Sequence, residues 1–468
     1  MQSHIELLVN MSVPMRRRSS ISNDHTKFDK VSTVDMSPKV PSKKEMEWLP
    51  TAIQKFYMLT IEPYDFQYSI FVDSFMVLRN SMTIVGLPLQ ASRKVWLKVW
   101  NFIVLSVYVT SLCFNFSGQA FLMAKGAQME AFYRTFSCLK LSTSMFMIYK
   151  FYSNRKSASV LLFQLEECFA QLGEEYYSRK SFADKLRYYV ILNTMIGWGC
   201  VAFFSGGFVV GTILEQDLHN YIEKYWFGVN ATAIGHDACL MMSIIETCIY
   251  YLATMAPIQF VSLYYAFMCI IMTEAFQIFN GRIKRDAINR NCNIPAKKIR
   301  AIRDNHNKLT KTVEQLDSAM SAPVFLIYMV IIIDMSKYVY FVMDKLTRGW
   351  STSIEVVFVF FRIFHMLWLF FMISCSASNV AINSNACLED VHQMTTRLTE
   401  SENMGNVEFH SIALITKLTE QPMYLTGWNV FYITRGFILT VIGGVLTYTL
   451  VVMQLIPWMW ESHNKLKQ

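Results

Sequence analysis

The run GFILTVIGGVLTYTLVVMQLI, residues 436–456, is long and apolar enough to cross a bilayer. At about 1.5 Å of rise per helical residue it covers roughly 31 Å, close to the thickness of a hydrocarbon core. Tyr432 and Arg435 precede it and Pro457, Trp458 and Trp460 follow it, and aromatic and basic residues of this kind suit the two interfaces. Thr440, Thr447 and Gln454 recur every seven residues and so share one helix face, with Gly443, Gly444 and Tyr448 on or beside the stripe. Copies of such a helix around a symmetry axis would line a water-filled pore with hydroxyls and amides. The same stripe also arises if the threonines bond their own backbone and Gln454 bonds a neighbouring helix. Periodicity leaves both readings open.

The rest of the chain agrees with a membrane setting. Over 468 residues it is 53% apolar and 15% aromatic, with a mean hydropathy of +0.27, too oily for a soluble protein and long enough for six to eight spans. The net charge of +8 would suit nucleic acid, but the basic residues lie in loops between apolar runs, where membrane orientation explains them. The ten cysteines form no C-x-x-C pair and most fall in or beside apolar runs, as free thiols do. The short apolar run at 7–13 does not have the flanks of a cleavable signal peptide.

Apolar length divides the chain. Residues 1–47 hold eight serines, eight Lys or Arg and six Asp or Glu, a composition expected of a disordered cytoplasmic tail. Within it the string Arg16-Arg17-Arg18-Ser19-Ser20 fits a kinase or trafficking signal no better than it fits an ordinary basic-serine tail. Residues 48–94 read as an interfacial or re-entrant approach, and 95–273 as four spans: 95–116, 131–152, 186–214 and one beginning near 238. A cytoplasmic helical segment at 274–321 follows, then spans five and six within 322–381, a cytoplasmic loop and helix at 382–435, span seven at 436–456 and a tail at 457–468. The second span carries Arg134, Lys140 and Lys150 and must therefore turn one side to protein or water.

Loop charge sets the expected orientation. Ten Lys or Arg lie between 282 and 311, and Arg155, Lys156, Arg179, Lys180 and Lys185 follow the second span, whereas the alternate loops are poor in both residues. The amino terminus is thus expected inside and the carboxyl terminus outside, opposite to a G-protein-coupled receptor. The glycosylation triplets at Asn115 and Asn230 fall on the expected outside. Apolar character from 238 to 279 would make roughly 63 Å of helix, about twice the bilayer core, with Pro257 as an expected kink. Ile299, Ile302, His306, Leu309, Val313, Leu316 and Met320 then form a heptad seam that suits an intramolecular bundle and an intersubunit contact equally.

No enzyme signature is present, and the nine dispersed histidines give no pattern for a metal or cofactor. Polar groups inside spans carry the chemistry instead. Asp334 and Lys337 are three apart and are expected to neutralise one another. Glu246, Arg362 and His365 have no such partner on their own helices and would meet in a pocket open to the outside. Phe136, Trp198, Phe203, Tyr250 and Phe358 lie at similar depth, and aromatic walls with few polar groups suit a small-molecule site, although aromatics in spans also serve plain packing.

Thr447-Tyr448, then residues 449–453, then Gln454-Leu455 resemble the terminal signature of the insect gustatory receptor family, and GWNVFYITRG at 427–436 is similar to its lead-in. Leu455 stands where the family usually has Phe, and Thr449 stands where sugar-sensing members carry Glu, a departure that argues against a sugar ligand. The likeness covers 71–455 and is specific only in the last span. It implies an all-α polytopic membrane protein of seven transmembrane helices, a ligand-gated non-selective cation channel for small tastants that assembles as a homo- or heterotetramer in lipid, without cofactor or nucleic acid. It further implies a pore lined by the last span, a shared cytoplasmic anchor, and ligand held among the outer halves of spans two, three, four and six. By motif, Gln454 and Leu455 resemble the gate, with Thr447 and Tyr448 setting the packing behind it. An odorant-type subunit needing a co-receptor and a metabotropic receptor are the alternatives. A transporter would show duplicated halves or paired broken helices, and neither is evident.

Overall fold

The computed structural model describes residues 70–88, 95–126, 128–172, 176–214, 235–288, 296–348, 353–398 and 423–467. The tail at 1–47, residues 399–422 of the expected cytoplasmic loop and helix, and the Asn230 triplet lie outside these residues. Two short helices, α1 (Ile70–Ser74) and α2 (Met76–Ile84), open the described chain. Long helices follow: α3 (Val95–Ala124), α4 (Gln128–Gln171), α5 (Tyr176–Leu214), α6 (His236–Ile288), α7 (Ala296–Arg348) and α8 (Ser353–Asn385). The short α9 (Leu388–Leu398), a two-stranded hairpin β1 (Thr426–Gly427) and β2 (Phe431–Tyr432), and α10 (Arg435–Lys467) complete the order. Among the described residues five helices are long and apolar enough to cross a membrane. The charge-bearing α4 falls short of that standard, and α10 is apolar over Arg435–Val451.

The core is built around α6. Its residues 253–269 are all buried, packed by α4, α5, α7 and α8, whereas α3 lies at the margin with Val95, Trp96 and Phe102 exposed. In the described part of the approach, Phe71, Phe75, Leu78 and Met82 of α1 and α2 are buried in the same core. The heptad seam of α7 also faces inward. Ile299, His306, Leu309, Val313, Leu316 and Met320 are buried within the single chain, and the His306 ring lies 5.8 Å from that of Phe279 on α6. The intramolecular reading of that seam is therefore sufficient.

Both interior prolines are accommodated by α4. Pro257 in α6 has no N–H, which orphans the carbonyl of Ala253, and Ser144 Oγ donates to that carbonyl at 2.7 Å. Pro323 in α7 orphans the carbonyl of Ala319 in the same way, and Asn154 Nδ2 donates to it at 3.0 Å. Two polar side chains on one helix thus replace the bonds that two neighbouring helices lack, and both helices run through without a break.

The hairpin before α10 is absent from the sequence reading. Thr426 pairs with Tyr432 and Gly427 with Phe431, and Trp428 and Asn429 take positive φ of 49° and 57°, the mirror-image turn that suits the twist of paired strands. Gly427 is required here because a Cβ would overlap the Phe431 ring. The turn is held against α7: Asp317 accepts from Thr426 N at 2.6 Å and Thr426 Oγ at 2.8 Å, and Trp428 N donates to Ser321 O at 3.1 Å. The Trp428 ring lies beside Phe325 and Phe146, so the left-handed turn is fixed by both packing and hydrogen bonds.

Candidate functional site

Four of the long helices converge on one buried charge cluster, and α5 closes its side. Asp334 of α7 accepts from Lys140 Nζ of α4 at 2.6 Å and from Arg362 Nη2 of α8 at 3.0 Å, both on the same carboxylate oxygen. The side chains of Lys140 and Asp334 are 5% exposed and that of Arg362 is 1% exposed, so these are charges removed from both lipid and water. The local pair expected between Asp334 and Lys337 does not form. Three residues of spacing brings the two side chains to one helix face, but the core-facing cations on α4 and α8 claim the carboxylate instead. Lys337 is half-buried, its ammonium 5.9 Å from the Tyr338 ring centroid.

Arg362 is bound on several sides. Its second terminal nitrogen meets Met255 Sδ of α6, and its guanidinium lies over the Phe204 ring of α5 at 4.6 Å. One turn along α8, His365 pairs with Gln259 Oε1 of α6 at 2.8 Å, and its ring packs edge-on to Phe204 at 5.6 Å. Phe358, one turn the other way, stacks on Phe203 at 6.4 Å and meets Phe204 edge-on at 5.4 Å. Gly207 keeps this contact close, because a Cβ there would stand 2.9 Å from Phe358. Tyr251 of α6 lies against Phe204 from the other side at 6.5 Å and against Tyr250 at 5.5 Å.

The structure therefore gathers Phe203, Phe358, Arg362 and His365 into one site, with Tyr250 at its edge. Phe136 and Glu246 are both half-buried, Phe136 one turn from Lys140 on α4 and Glu246 one turn from Tyr250 on α6, and both make contacts of their own. Trp198 stands on α5 but faces Phe260 at 5.0 Å and donates to Ser81 Oγ at 3.0 Å, which ties α2 into the bundle. Lys140, Asp334, Phe204, Met255 and Gln259 belong to the same site, and the sequence assigned none of the five to it. A signal was there for Lys140, since a lysine inside a span with no acidic partner on its own helix must find one on another helix.

On α10, Phe437, Ile438, Val441, Ile442 and Val445 pack against the core. Thr440, Gly443, Gly444, Thr447 and Gln454 are exposed on the opposite side, and Tyr448 is also exposed. Thr440 and Thr447 donate to the carbonyls of Gly436 and Gly443 at 3.0 and 2.9 Å, as threonines in apolar helices do. The Leu455 side chain lies outside the described residues. Asn115 is 5% exposed on α3, its amide donates to Ser111 O and its own carbonyl accepts from Arg134 Nε. A glycan acceptor must present a free amide at the surface, and Asn115 does not.

A family model described as 7tm Chemosensory receptor matches residues 80–457. The chain belongs to this seven-transmembrane chemosensory receptor family. The receptor is thus a multi-pass membrane protein and not an enzyme. Its fold is similar to that of the insect olfactory receptor OR5 from Machilis hrabei, with 14% identity over 81% of this chain and 97% of that one and a TM-score of 0.60. The same olfactory receptor in complex with eugenol matches at 15% identity, over 82% and 97% of the two chains, with a TM-score of 0.59. A search of curated proteins gives no match.

Proposed function

We propose that the receptor is a subunit of a ligand-gated cation channel of the gustatory type, assembled as a tetramer with α10 around the central pore. One observation carries this reading: α10 packs only one face on its own chain and leaves the opposite face, with Thr440, Gly443, Gly444, Thr447 and Gln454, exposed. An amide and hydroxyls facing lipid would be wasted, whereas the same groups facing water in a pore can hydrate a passing cation. The intrahelical bonds of Thr440 and Thr447 leave each oxygen a lone pair for that purpose. Gln454 and Leu455 form the constriction, with the amino terminus inside and the carboxyl terminus outside.

Ligand binds at the aromatic and charged site among α4, α5, α6 and α8. That one similar receptor was solved in complex with eugenol supports a small molecule as the ligand. Binding opens the pore only in so far as the open form binds the ligand more tightly. The gustatory assignment rests on the terminal motif ending in Gln454-Leu455, and an odorant-type subunit shares every other feature.

The test is current in excised patches from cells expressing this chain, with cytoplasmic nucleotide washed away and a panel of tastants and odorants applied. Prompt ligand-evoked current is expected, and Gln454→Glu should raise relative calcium permeability several-fold by adding a ring of charge to the pore. Responses that vanish with the nucleotide would instead establish a metabotropic receptor.

A further inference from the structure

The cluster around Asp334 holds more positive charge than its protein partners answer. Lys140 and Arg362 share one carboxylate oxygen, and among the described residues Lys337 has no ion-pair partner. Three cations thus face two carboxylates even when Glu246, one turn from Tyr250 on α6, is counted in. The tyrosines beside the cluster, Tyr250, Tyr251 and Tyr338, are neutral at physiological pH.

Unfilled bonding capacity sits at the same place. Arg362 Nε is buried and donates to nothing, and the His365–Gln259 pair leaves His365 Nδ1 and Gln259 Nε2 without partners. An N–H of a fully buried guanidinium wants an anionic acceptor, and a charge-assisted bond is the strongest it can make there. Phe204 lies against both Arg362 and His365, and Phe358, Phe203 and Phe361 pack around it, the last two reaching the outer surface of the bundle with ring centroids 4.6 Å apart. Aromatic rings would receive a flat or short apolar body, and the cations its head.

We infer that this site takes a small amphipathic carboxylate, its head on Arg362 and Lys337 and its apolar body among Phe203, Phe358 and Phe361. The inference rests on the channel reading for its consequence but not for its binding chemistry. Asp334 keeps Arg362 and Lys140 in place, while Arg362 Nε and the Lys337 ammonium supply the bonds that the ligand completes. Neutral molecules of the same shape leave that capacity unfilled and bind less well.

The experiment uses the purified full chain in lipid nanodiscs, with thermal unfolding followed by tryptophan fluorescence, and current recorded from the same protein in bilayers. Benzoate, phenylacetate and hexanoate are each compared with their methyl esters and with sodium chloride alone. Each acid that binds is expected to shift unfolding upward at concentrations about 10- to 100-fold below those its ester requires. Lys337→Met, a change at a half-buried position that makes no ion pair among the described residues, should cut the acid's advantage and leave the ester's affinity unchanged. The inference is overturned if esters match their acids, if no acid in the panel shifts unfolding, or if chloride alone reproduces the effect. Current evoked by neutral compounds alongside any of those results would leave the channel standing and remove only this ligand class. Acid-selective unfolding shifts without any current would do the reverse.

Discussion

Asp334→Asn is expected to lower stability by about 3–5 kcal/mol, enough to remove most properly folded receptor from the cell surface. Among the described residues the carboxylate is the only anion in direct contact with Lys140 and Arg362, and all three groups are buried. Removing it strands two cations in a low-dielectric core, which is far costlier than losing an exposed ion pair. Because the penalty comes from the charges left behind, neutralising the whole set should return most of it. The triple variant with Asp334→Leu, Lys140→Met and Arg362→Met is therefore expected to melt near the wild type while losing the response to carboxylates. Melting of detergent-solubilised protein, followed by size-exclusion chromatography, measures both. A single Asp334→Asn variant that melts with the wild type would show that the cluster is not the buried charge network described.

The second large effect concerns coupling. On α7, Asp317 and Ser321 hold the β1–β2 hairpin that leads directly into α10, and Asp334 lies 17 residues further along the same helix. At about 1.5 Å per residue the two points are about 25 Å apart on one continuous rod. Movement at the charge cluster therefore reaches the base of α10 through α7 without an intervening loop. Asp317→Ala removes two bonds to a charged acceptor, about 1.5–3 kcal/mol each, and frees the hairpin from the rod. Ligand affinity measured by unfolding shifts should be unchanged, whereas maximal current should fall about tenfold or more. Thr426→Val, which keeps the backbone bond to Asp317 and loses the hydroxyl's bonds to Asp317 and Asn429, is expected to fall between. Affinity and current declining in parallel would indicate damage to the fold and not to coupling.

What the sequence disclosed follows from how local its signals are. Apolar length and loop charge need only neighbours along the chain, and the long helices appear close to where residues 95–116, 186–214 and 436–456 place them. The heptad seam was legible for the same reason, since Ile299 to Met320 repeat regularly, but only packing could tell that its partners are α4 and α6. Contacts between helices were not legible. Asp334 had a cation three residues away, and nothing in the chain said that Lys140, nearly two hundred positions earlier, would reach it first. Pro257 and Pro323 announced two missing hydrogen bonds, yet the identity of Ser144 and Asn154 as the replacements depends on helix register across the bundle. The hairpin escaped notice because its turn uses Trp428 and Asn429 in left-handed conformation, where Asn-Gly or Gly-Gly is the usual signal. Asn115 misled in the opposite sense, since a glycosylation triplet says nothing about burial.

Cysteine accessibility along α10 tests the central claim most directly. In a background with the exposed Cys113 and Cys375 replaced by serine, Thr440→Cys, Thr447→Cys and Gln454→Cys are compared with Val441→Cys and Val445→Cys, whose side chains pack against the core. A positively charged, membrane-impermeant thiol reagent applied during ligand-evoked current should block the first three, faster when ligand is present, and leave the two valine positions unaffected. Equal block at both sets, or block confined to the valine positions, would contradict a pore lined by the polar face of α10.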